Sequence, residues 1–345
     1  ASEDYSGIGK AIEIVETSHI PLVAGLHTFI ARPVGGSFFC GFAGYCLGSE
    51  GVRLQIRRVA QGISVLGISK YELEKLTLPL PSLAEQREIV GCLSSLDDLI
   101  EARKGQVAAL KLHKRGLMQR LFPAPGGTTP ALRFPGFRDA PPWEVKRLGE
   151  AASVRSGFAF KKQHWTETGV PVVKNTNVKP GGLDMSGCSF VSESTALSVA
   201  DFSLQEGDIL ISMTGHVGQL VEVRSNNLPA MLNQRVGRFT IKDIRRLDGR
   251  FLYYSLAEPK FRRKLEVLGY GSAQMNVSPT AIHGIKIPLP SLPEQREIAG
   301  CLSSLDDLIE ARKGQVAALK LHKRGLMQRL FPAPGATISR PRGTT

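Results

Sequence analysis

Residues 79–126 read PLPSLAEQREIVGCLSSLDDLIEARKGQVAALKLHKRGLMQRLFPAPG, and residues 288–335 repeat this stretch with two changes. Ala84 of the first copy becomes Pro293 in the second, and Val90 becomes Ala299. The two copies lie 209 residues apart, a period far longer than that of a solenoid repeat. The sequence therefore predicts a duplicated half-molecule in which each half ends in the same segment.

Apolar residues in both copies recur at alternating spacings of four and three, which is the a/d pattern of a coiled coil. The pattern is interrupted by Arg103 and Lys114 and by their copies, Arg312 and Lys323. We expect these four polar residues to set helix register and orientation rather than to add stability. The apolar seam positions are Ile89, Leu93, Leu96, Ile100, Val107, Leu110, Leu117, Leu121, Ile298, Leu302, Leu305, Ile309, Val316, Leu319, Leu326 and Leu330.

Each repeat is expected to form one long helix. Ser82 follows a proline and is a candidate N-cap, with Glu85 placed to complete a capping box, and Pro123 ends the helix. A helix of roughly 40 residues is about 60 Å long and cannot bury an apolar stripe alone. We favour pairing with the other copy in an antiparallel coiled coil; the alternative is that each helix packs only on its own domain.

Composition narrows the functional classes. The chain has 345 residues and a net charge of +13, which favours a polyanionic partner such as nucleic acid. Five scattered cysteines without a CxxC pair argue against a zinc site or a disulfide framework. No signal peptide is recognised, and the most apolar stretch, residues 33–48, is too short and glycine-rich to span a membrane. We expect a cytoplasmic location.

The segments that precede the two helices diverge from each other, yet they share a frame. Gly7-Ile8-Gly9 matches His216-Val217-Gly218, and the strand-like run 73–80 matches 282–289. Short helices are expected at 38–46 and 251–256. The second module alternates short apolar runs with Gly/Asn-rich turns, which favours a mixed α/β domain. The first module is about half as long, and we expect that roughly 70 N-terminal residues of it are absent.

These observations divide the chain into six parts. We assign residues 1–78 to the C-terminal part of a first recognition domain and 79–123 to the first helix. Residues 124–142 form a Pro/Gly-rich linker, and 143–287 form the second recognition domain. The second helix spans 288–332, followed by a flexible tail at 333–345. The fold class is α/β (α+β), with two globular domains joined by an antiparallel pair of long helices in a pseudo-two-fold arrangement.

A family resemblance rests on several of these motifs. It rests on three motifs: residues 132–149 (LRFPGFRDAPPWEVKRLG), residues 156–177 (SGFAFKKQHWTETGVPVVKNTN) and the twice-repeated IPLP…EQ type of junction into a long helix. The chain resembles the DNA-specificity (S) subunit of type I restriction–modification enzymes over nearly its whole length. The short first module departs from the family pattern, which puts recognition of the first half-site in doubt.

The resemblance implies a non-catalytic subunit. It implies two target-recognition domains that each read half of a bipartite DNA site, with the helix pair setting the gap between the halves. The implied partners are double-stranded DNA, two modification (methyltransferase) subunits and restriction (motor and nuclease) subunits, and no membrane. No cofactor is expected on this chain, whereas S-adenosylmethionine, ATP and Mg²⁺ are expected on the partner subunits.

Candidate DNA contacts are polar or basic residues in turns, because Lys and Arg anchor phosphates while Asn, Gln, Ser, Thr and Arg read base edges. In the second module they are Lys174, Asn175, Asn177, Thr214, His216, Gln219, Gln234, Arg235, Tyr270, Ser272, Gln274 and Asn276. Weaker candidates in the first module are Lys10, Arg53, Arg57, Arg58 and Ser64. Any of these could also be an ordinary solvated loop residue.

Other functional classes have weaker support. The sequence has no amino-methyltransferase motif, no phosphate-binding loop and no metal-ligand cluster of histidines. The triplet Glu144-Val145-Lys146 has a nuclease-like spacing, but it lacks an upstream acidic partner. The main alternative is a coiled-coil scaffold with two protein-binding heads and no sequence-specific DNA reading.

Overall fold

The computed structural model describes residues 4–5, 7–16, 21–62, 65–268 and 276–331. The helices assigned in this part are α1 Phe42–Gly48, α2 Glu50–Val59, α3 Lys70–Glu74, α4 Leu83–Leu121, α5 Leu148–Ala151, α6 Glu193–Ser198, α7 Gly249–Ala257, α8 Pro259–Leu268, α9 Pro279–His283 and α10 Leu292–Leu330. The strands are β1 Glu144–Arg147, β2 Ala152–Ser156, β3 Trp165–Thr166, β4 Val170–Val173, β5 Val178–Lys179, β6 Gly182–Leu183, β7 Ser189–Val191, β8 Ile209–Ser212, β9 Leu220–Glu222, β10 Met231–Leu232, β11 Val236–Ile241 and β12 Lys286–Leu289. The mixed helix-and-sheet class is confirmed.

The repeated segment forms the two longest helices, α4 and α10, of 39 residues each. The Ser82 hydroxyl accepts a hydrogen bond from the Glu85 amide at 3.3 Å, as expected of an N-cap. Every seam residue is buried or partly buried, while most other residues of the helices are exposed. The heptad pattern therefore identified the packed face of both helices.

The chain divides into two compact units, each built from one module and parts of both long helices. Unit 1 comprises residues 1–109 and 309–345, and unit 2 comprises residues 110–308. In unit 1, Lys323 near the end of α10 meets Asp97 near the start of α4. In unit 2, Lys114 near the end of α4 meets Asp306 near the start of α10. The helices are therefore antiparallel in both units, as expected.

The two polar interruptions of the seam behave differently. Lys114 and Lys323 reach across to the opposite helix. Arg103 donates to Gln106, and Arg312 donates to Gln315, each three residues further along its own helix. The expectation that the arginines also set register is therefore not supported, because their long side chains are satisfied within one turn of the same helix.

Unit 1 has a small helical core. Phe42 and Cys46 of α1 and Val52 and Ile56 of α2 pack against the start of α4, and Phe331 closes the cluster from the end of α10. No named strand occurs in the described residues before α4. Several apolar side chains ahead of α1 are almost fully accessible, with exposed fractions of 88% for Ile12, 92% for Val23 and 94% for Leu26.

For the first module, one expected element forms with shifted bounds and one is wrong. The helix expected at 38–46 is α1, Phe42–Gly48, and it begins after Gly41, whose φ of +92° is a left-handed conformation. The strand expected at 73–80 is not formed; α3 covers its first residues and the rest has no regular structure. In the second module, α9 likewise covers the first two residues of the matching run, and the last four form β12, which pairs with β1 in antiparallel register.

Unit 2 is built around two four-stranded sheets, with strand orders β2–β11–β8–β9 and β10–β4–β7–β3. The short apolar runs expected in the second module include β4, β8 and β9. The fully buried pattern of β8 reflects packing on both faces of its sheet. The helix expected at 251–256 lies within α7, and its Phe251 stacks on Phe122 at the end of α4.

The stretch 124–142 is packed on α10. Arg133 forms a two-pronged ion pair with Glu294 in the first turn of α10, with both nitrogen–oxygen distances at 2.8 Å. The Trp143 ring nitrogen donates to the same carboxylate at 3.3 Å, and the Trp143 amide donates to Thr128. These contacts fasten a Pro/Gly-rich stretch to unit 2.

No helix in the described ranges is long and apolar enough to cross a membrane.

Candidate nucleic-acid interface

Three turns and one short segment of unit 2 are tied together by backbone hydrogen bonds. At the end of β4, the Val173 carbonyl accepts a hydrogen bond from the Asn233 amide at 3.0 Å. The turn after β8 is linked on both sides, because the Met213 amide donates to Arg235 and the Met213 carbonyl accepts from Val277. A bridge between Thr214 and Asn276 extends this contact. The sheets therefore bring residues 173–177, 213–218, 232–236 and 276–277 to one end of the unit.

Most of the predicted contact residues in this region are accessible to a ligand. His216, Gln234, Arg235 and Asn276 are exposed, whereas Asn175 and Gln219 are partly exposed. Asn175 donates to the Thr214 carbonyl at 3.4 Å, which joins two of the turns. The exposed set combines one guanidinium, one imidazole and several amides, which are the side chains that contact phosphates and base edges in the major groove.

Lys174 is held in place before any ligand arrives. Its ammonium group donates to the Ser189 hydroxyl at 2.8 Å and lies 5.8 Å from the centre of the Trp165 ring. A lysine with a supported side chain loses less conformational freedom when it contacts a phosphate. We therefore expect Lys174 to act as a positioned cation.

Two of the predicted residues face inward. Asn177 has an exposed fraction of only 3%; its side chain accepts from the Lys174 amide and donates to the Asp184 carbonyl. It shapes the turn after β4. The Thr214 hydroxyl is buried and has no hydrogen-bond partner within the described residues. Neither the Asn177 side chain nor the Thr214 hydroxyl is therefore exposed at the surface of the unit.

Two glycines are needed for the local backbone. Gly215 and Gly218 adopt φ values of +69° and +82° in the turn after β8, a region that favours glycine. Gly157, which follows β2, lies close to the backbone of the neighbouring segment 232–233. A Cβ added at this glycine would stand 2.2 Å from the Leu232 carbonyl oxygen. The close approach allows the loop after β2 to join the turn at 232–236.

That loop carries basic residues that were missed in the sequence. Phe158 donates to Leu232 and accepts from the Gln234 amide, which fixes the loop beside the interface. Lys161 and Lys162 follow on its exposed side, and Arg155 is exposed on β2. In the sequence, two adjacent lysines after Phe158 and Phe160 could have suggested a nucleic-acid contact. Their position beside Gln234 and Arg235 follows only from the hydrogen bonds between the loop and the turn.

The candidates in unit 1 are less favourably placed. Lys10 and Arg58 are exposed, whereas Arg57 is paired with Glu50 at 3.2 Å. Arg53 is buried in α2, and burial together with the neighbouring Arg57 lowers its pKa. Four predicted residues, Ser64, Tyr270, Ser272 and Gln274, lie outside the described residues.

The family model described as "Type I restriction modification DNA specificity domain" matches residues 52–112 and 141–321. The chain belongs to this family. The match includes most of α4 and α10 and the whole of the candidate interface in unit 2. It confirms the resemblance inferred from the IPLP…EQ junctions and the motifs of the second module.

Two relatives in this specificity family come from the same organism. The type I restriction enzyme MjaVIII specificity subunit of Methanocaldococcus jannaschii is 31% identical over 281 residues, which cover 80% of this chain and 66% of that subunit. The putative MjaX specificity subunit of the same organism is 28% identical over 337 residues, covering 96% of this chain and 75% of the relative. The chain thus spans two-thirds to three-quarters of the length of these relatives.

Solved structures of the specificity family share the fold. A type I restriction–modification S subunit from M. genitalium has a TM-score of 0.56 at 20% identity, covering 86% of this chain and 73% of that one. A structure described as the basis of complex assembly and conformational transition of the type I R-M system has a TM-score of 0.52 at 22% identity, covering 85% and 70% of the two chains. At these identities, the similarity supports the fold alone.

Proposed function

We propose that this specificity-family chain is the sequence-reading subunit of a type I restriction–modification complex, directing methyltransferase and restriction subunits to a bipartite DNA site. The observation that carries the proposal is the convergence of turns at one end of unit 2. Arg235, Gln234 and Asn276 are exposed there, with Lys174 held beside them. Such a surface combines phosphate anchoring with base-edge recognition.

The repeated helices supply the constant part of this function. Their sequences are nearly identical, so the two units present the same helix surface, on which two copies of one methyltransferase subunit could dock. The divergent modules supply the variable part, each reading its own half-site. The chain itself is non-catalytic in this proposal, and S-adenosylmethionine, ATP and Mg²⁺ are bound by the partner subunits.

One observation favours a different function for unit 1. The accessible apolar side chains of Ile12, Val23 and Leu26 are unlike a DNA-contacting surface, because nucleic-acid interfaces are polar and positively charged. They suit a protein-binding head, as in the scaffold alternative. A chain in which unit 2 reads DNA and unit 1 binds protein would recognise only one half-site.

The test is to map methylated sites in DNA after co-expression with the cognate methyltransferase subunit. The proposal predicts one motif made of two half-sites at a constant gap. A single continuous half-site would favour the mixed alternative, and methylation without a sequence motif would refute DNA reading. A salt titration of duplex binding adds a second criterion, because phosphate-anchored affinity falls steeply with added salt.

A further inference from the structure

A cluster of tyrosine, aspartate and lysine occurs once in each unit with nearly the same geometry. In unit 2, the Lys114 ammonium lies 2.6 Å from both carboxylate oxygens of Asp306, and the Tyr254 hydroxyl donates to Asp306 at 2.7 Å. The ammonium also lies 4.8 Å from the centre of the Tyr254 ring. We call this cluster, and its counterpart below, a triad.

The triad of unit 1 consists of Lys323, Asp97 and Tyr45. The ammonium lies 2.5 and 2.6 Å from the two carboxylate oxygens, the tyrosine hydroxyl donates to Asp97 at 2.8 Å, and the ammonium is 4.9 Å from the ring centre. Burial and the hydrogen bond to Asp97 raise the pKa of Tyr45, so this tyrosine remains a hydroxyl donor at neutral pH. Each residue lies 209 positions from its counterpart.

Both triads require the same antiparallel register of the long helices. Lys114 follows Asp97 by 17 residues in α4, and Lys323 follows Asp306 by 17 residues in α10. A register that satisfies one ion pair therefore satisfies the other. Because the helices carry the same residues, no single change of register can lose one pair and keep its counterpart.

The apolar seam alone does not define this register. A heptad repeat meshes again after a slip of seven residues, so another feature must penalise the slipped states. A one-heptad slip in either direction would place Lys114 opposite Ala299 or Lys313. Lys323 would meet the equivalent residues, Val90 or Lys104. Every such slip leaves two lysines without a carboxylate, and one direction opposes like charges.

The tyrosines connect each module to this register. Tyr45 belongs to α1 and Tyr254 to α7, and both modules keep the tyrosine although their sequences otherwise diverge. A second anchor is the fully buried glutamine near the start of each long helix. Gln86 accepts from the Phe39 amide and donates to Ser37, and Gln295 makes the equivalent contacts with Asp248 and Arg246.

Of these two polar anchors, the triad is the one that joins the module to both helices at once. The glutamine fastens each module to the helix that follows it, whereas the aspartate binds the tyrosine of the module and the lysine of the opposite helix. We propose that the two triads are positioning elements that hold each recognition module at a defined place along the helix pair and so set how strictly the gap between half-sites is measured. This inference rests on the proposed function.

The experiment uses the full chain co-expressed with its methyltransferase subunit. A plasmid library carries both half-sites with the wild-type gap and with gaps one to three base pairs shorter or longer; a one-heptad slip is about 10 Å, or about three base pairs. The double variants are Tyr45→Phe with Tyr254→Phe, and Asp97→Asn with Asp306→Asn. We expect methylation at altered gaps, relative to the wild-type gap, to rise about tenfold or more because a charge-assisted hydrogen bond is lost in each unit.

Matched controls separate positioning from general stability. Tyr253→Phe alters the adjacent tyrosine of α7, and Lys111→Met with Lys320→Met removes exposed lysines from the same helices. These controls should keep the wild-type gap preference. An unchanged ratio in both triad variants, with thermal unfolding showing folded protein, would overturn the inference. Failure of the proposed function would be visible earlier, since the wild-type chain would then yield no bipartite motif.

Discussion

The buried ion pair between Arg133 and Glu294 offers an internally controlled prediction, because the helix repeat supplies the same glutamate in another setting. Glu294 has an exposed fraction of 1% and accepts three hydrogen bonds, two from Arg133 and one from Trp143. Its copy, Glu85, is exposed, and its carboxylate has no hydrogen-bond partner in the described part of the chain. The two residues occupy the same helical position.

The change is Glu294→Ala, compared with Glu85→Ala. Removing one member of a buried pair strands the other charge and costs about 3–5 kcal/mol. Arg133 keeps hydrogen bonds to the Ala140 and Pro141 carbonyls, so we expect the lower end, about 3 kcal/mol. Glu85→Ala should change the free energy of unfolding by less than about 0.5 kcal/mol, as exposed substitutions usually do.

Urea unfolding followed by tryptophan fluorescence measures this difference directly. Both tryptophans of the chain, Trp143 and Trp165, lie in unit 2, so the signal reports the unit that contains the ion pair. With a urea dependence of about 3 kcal/mol per molar, the midpoint should fall by about 1 M for Glu294→Ala. A shift of the same size in both variants, or a Glu294→Ala midpoint within error of the wild type, would show that the buried ion pair does not stabilise unit 2.

Three further predictions concern backbone packing, pH and DNA binding. Gly157→Ala should lower the melting temperature of unit 2 by several degrees, because the new Cβ would clash with the Leu232 carbonyl; a wild-type melting curve would contradict this. Burial raises the pKa of Glu258, more than its contact with Lys260 lowers it. The ionised carboxylate is therefore disfavoured in the folded state, and the wild type loses stability as the pH rises through the folded pKa. Thermal melts should show Glu258→Gln gaining stability relative to the wild type between pH 4 and pH 7.5, and a constant difference would be inconsistent. Arg235→Ala should weaken duplex binding and reduce the slope of log affinity against log salt by about 1; an unchanged slope in a fluorescence-anisotropy titration would argue against phosphate contact.

Much of the architecture could be predicted because the periodicity is local and repeated. The heptad spacing from Ile89 to Leu121 states which helix face is buried without any knowledge of the partner. Lys114 stood out as a polar seam residue, so a role in register could be predicted. Its partner could not, because Asp306 lies 192 residues away and outside the seam.

The anchoring side chains were harder to find. Gln86 and Gln295 belong to the near-identical repeat, so nothing in the sequence distinguishes them from exposed polar residues. Tyr45 and Tyr254 carried a usable signal, since they share the 209-residue offset within divergent modules. Their function depends on contact with a carboxylate from another element, which is a tertiary feature.

In the candidate interface, too, residue type could be read from the sequence but exposure could not. Turn residues such as Gln234 and Arg235 could be selected by residue type, but Asn177 is of the same type and points inward. The difference arises because Asn177 closes the turn after β4 through two hydrogen bonds. The strand expected at 73–80 failed for a comparable reason, since a strand requires a pairing partner that no local pattern reports.

We propose that unit 2 reads one half of the DNA site while the repeated helices set its distance from the other half. The most direct measurement is to replace residues 143–287 with the corresponding module of another specificity subunit and to map methylated sites after co-expression. We expect one half-site to change while the other half-site and the gap stay as in the wild type. An unchanged motif, or a change in both halves at once, would contradict this proposal.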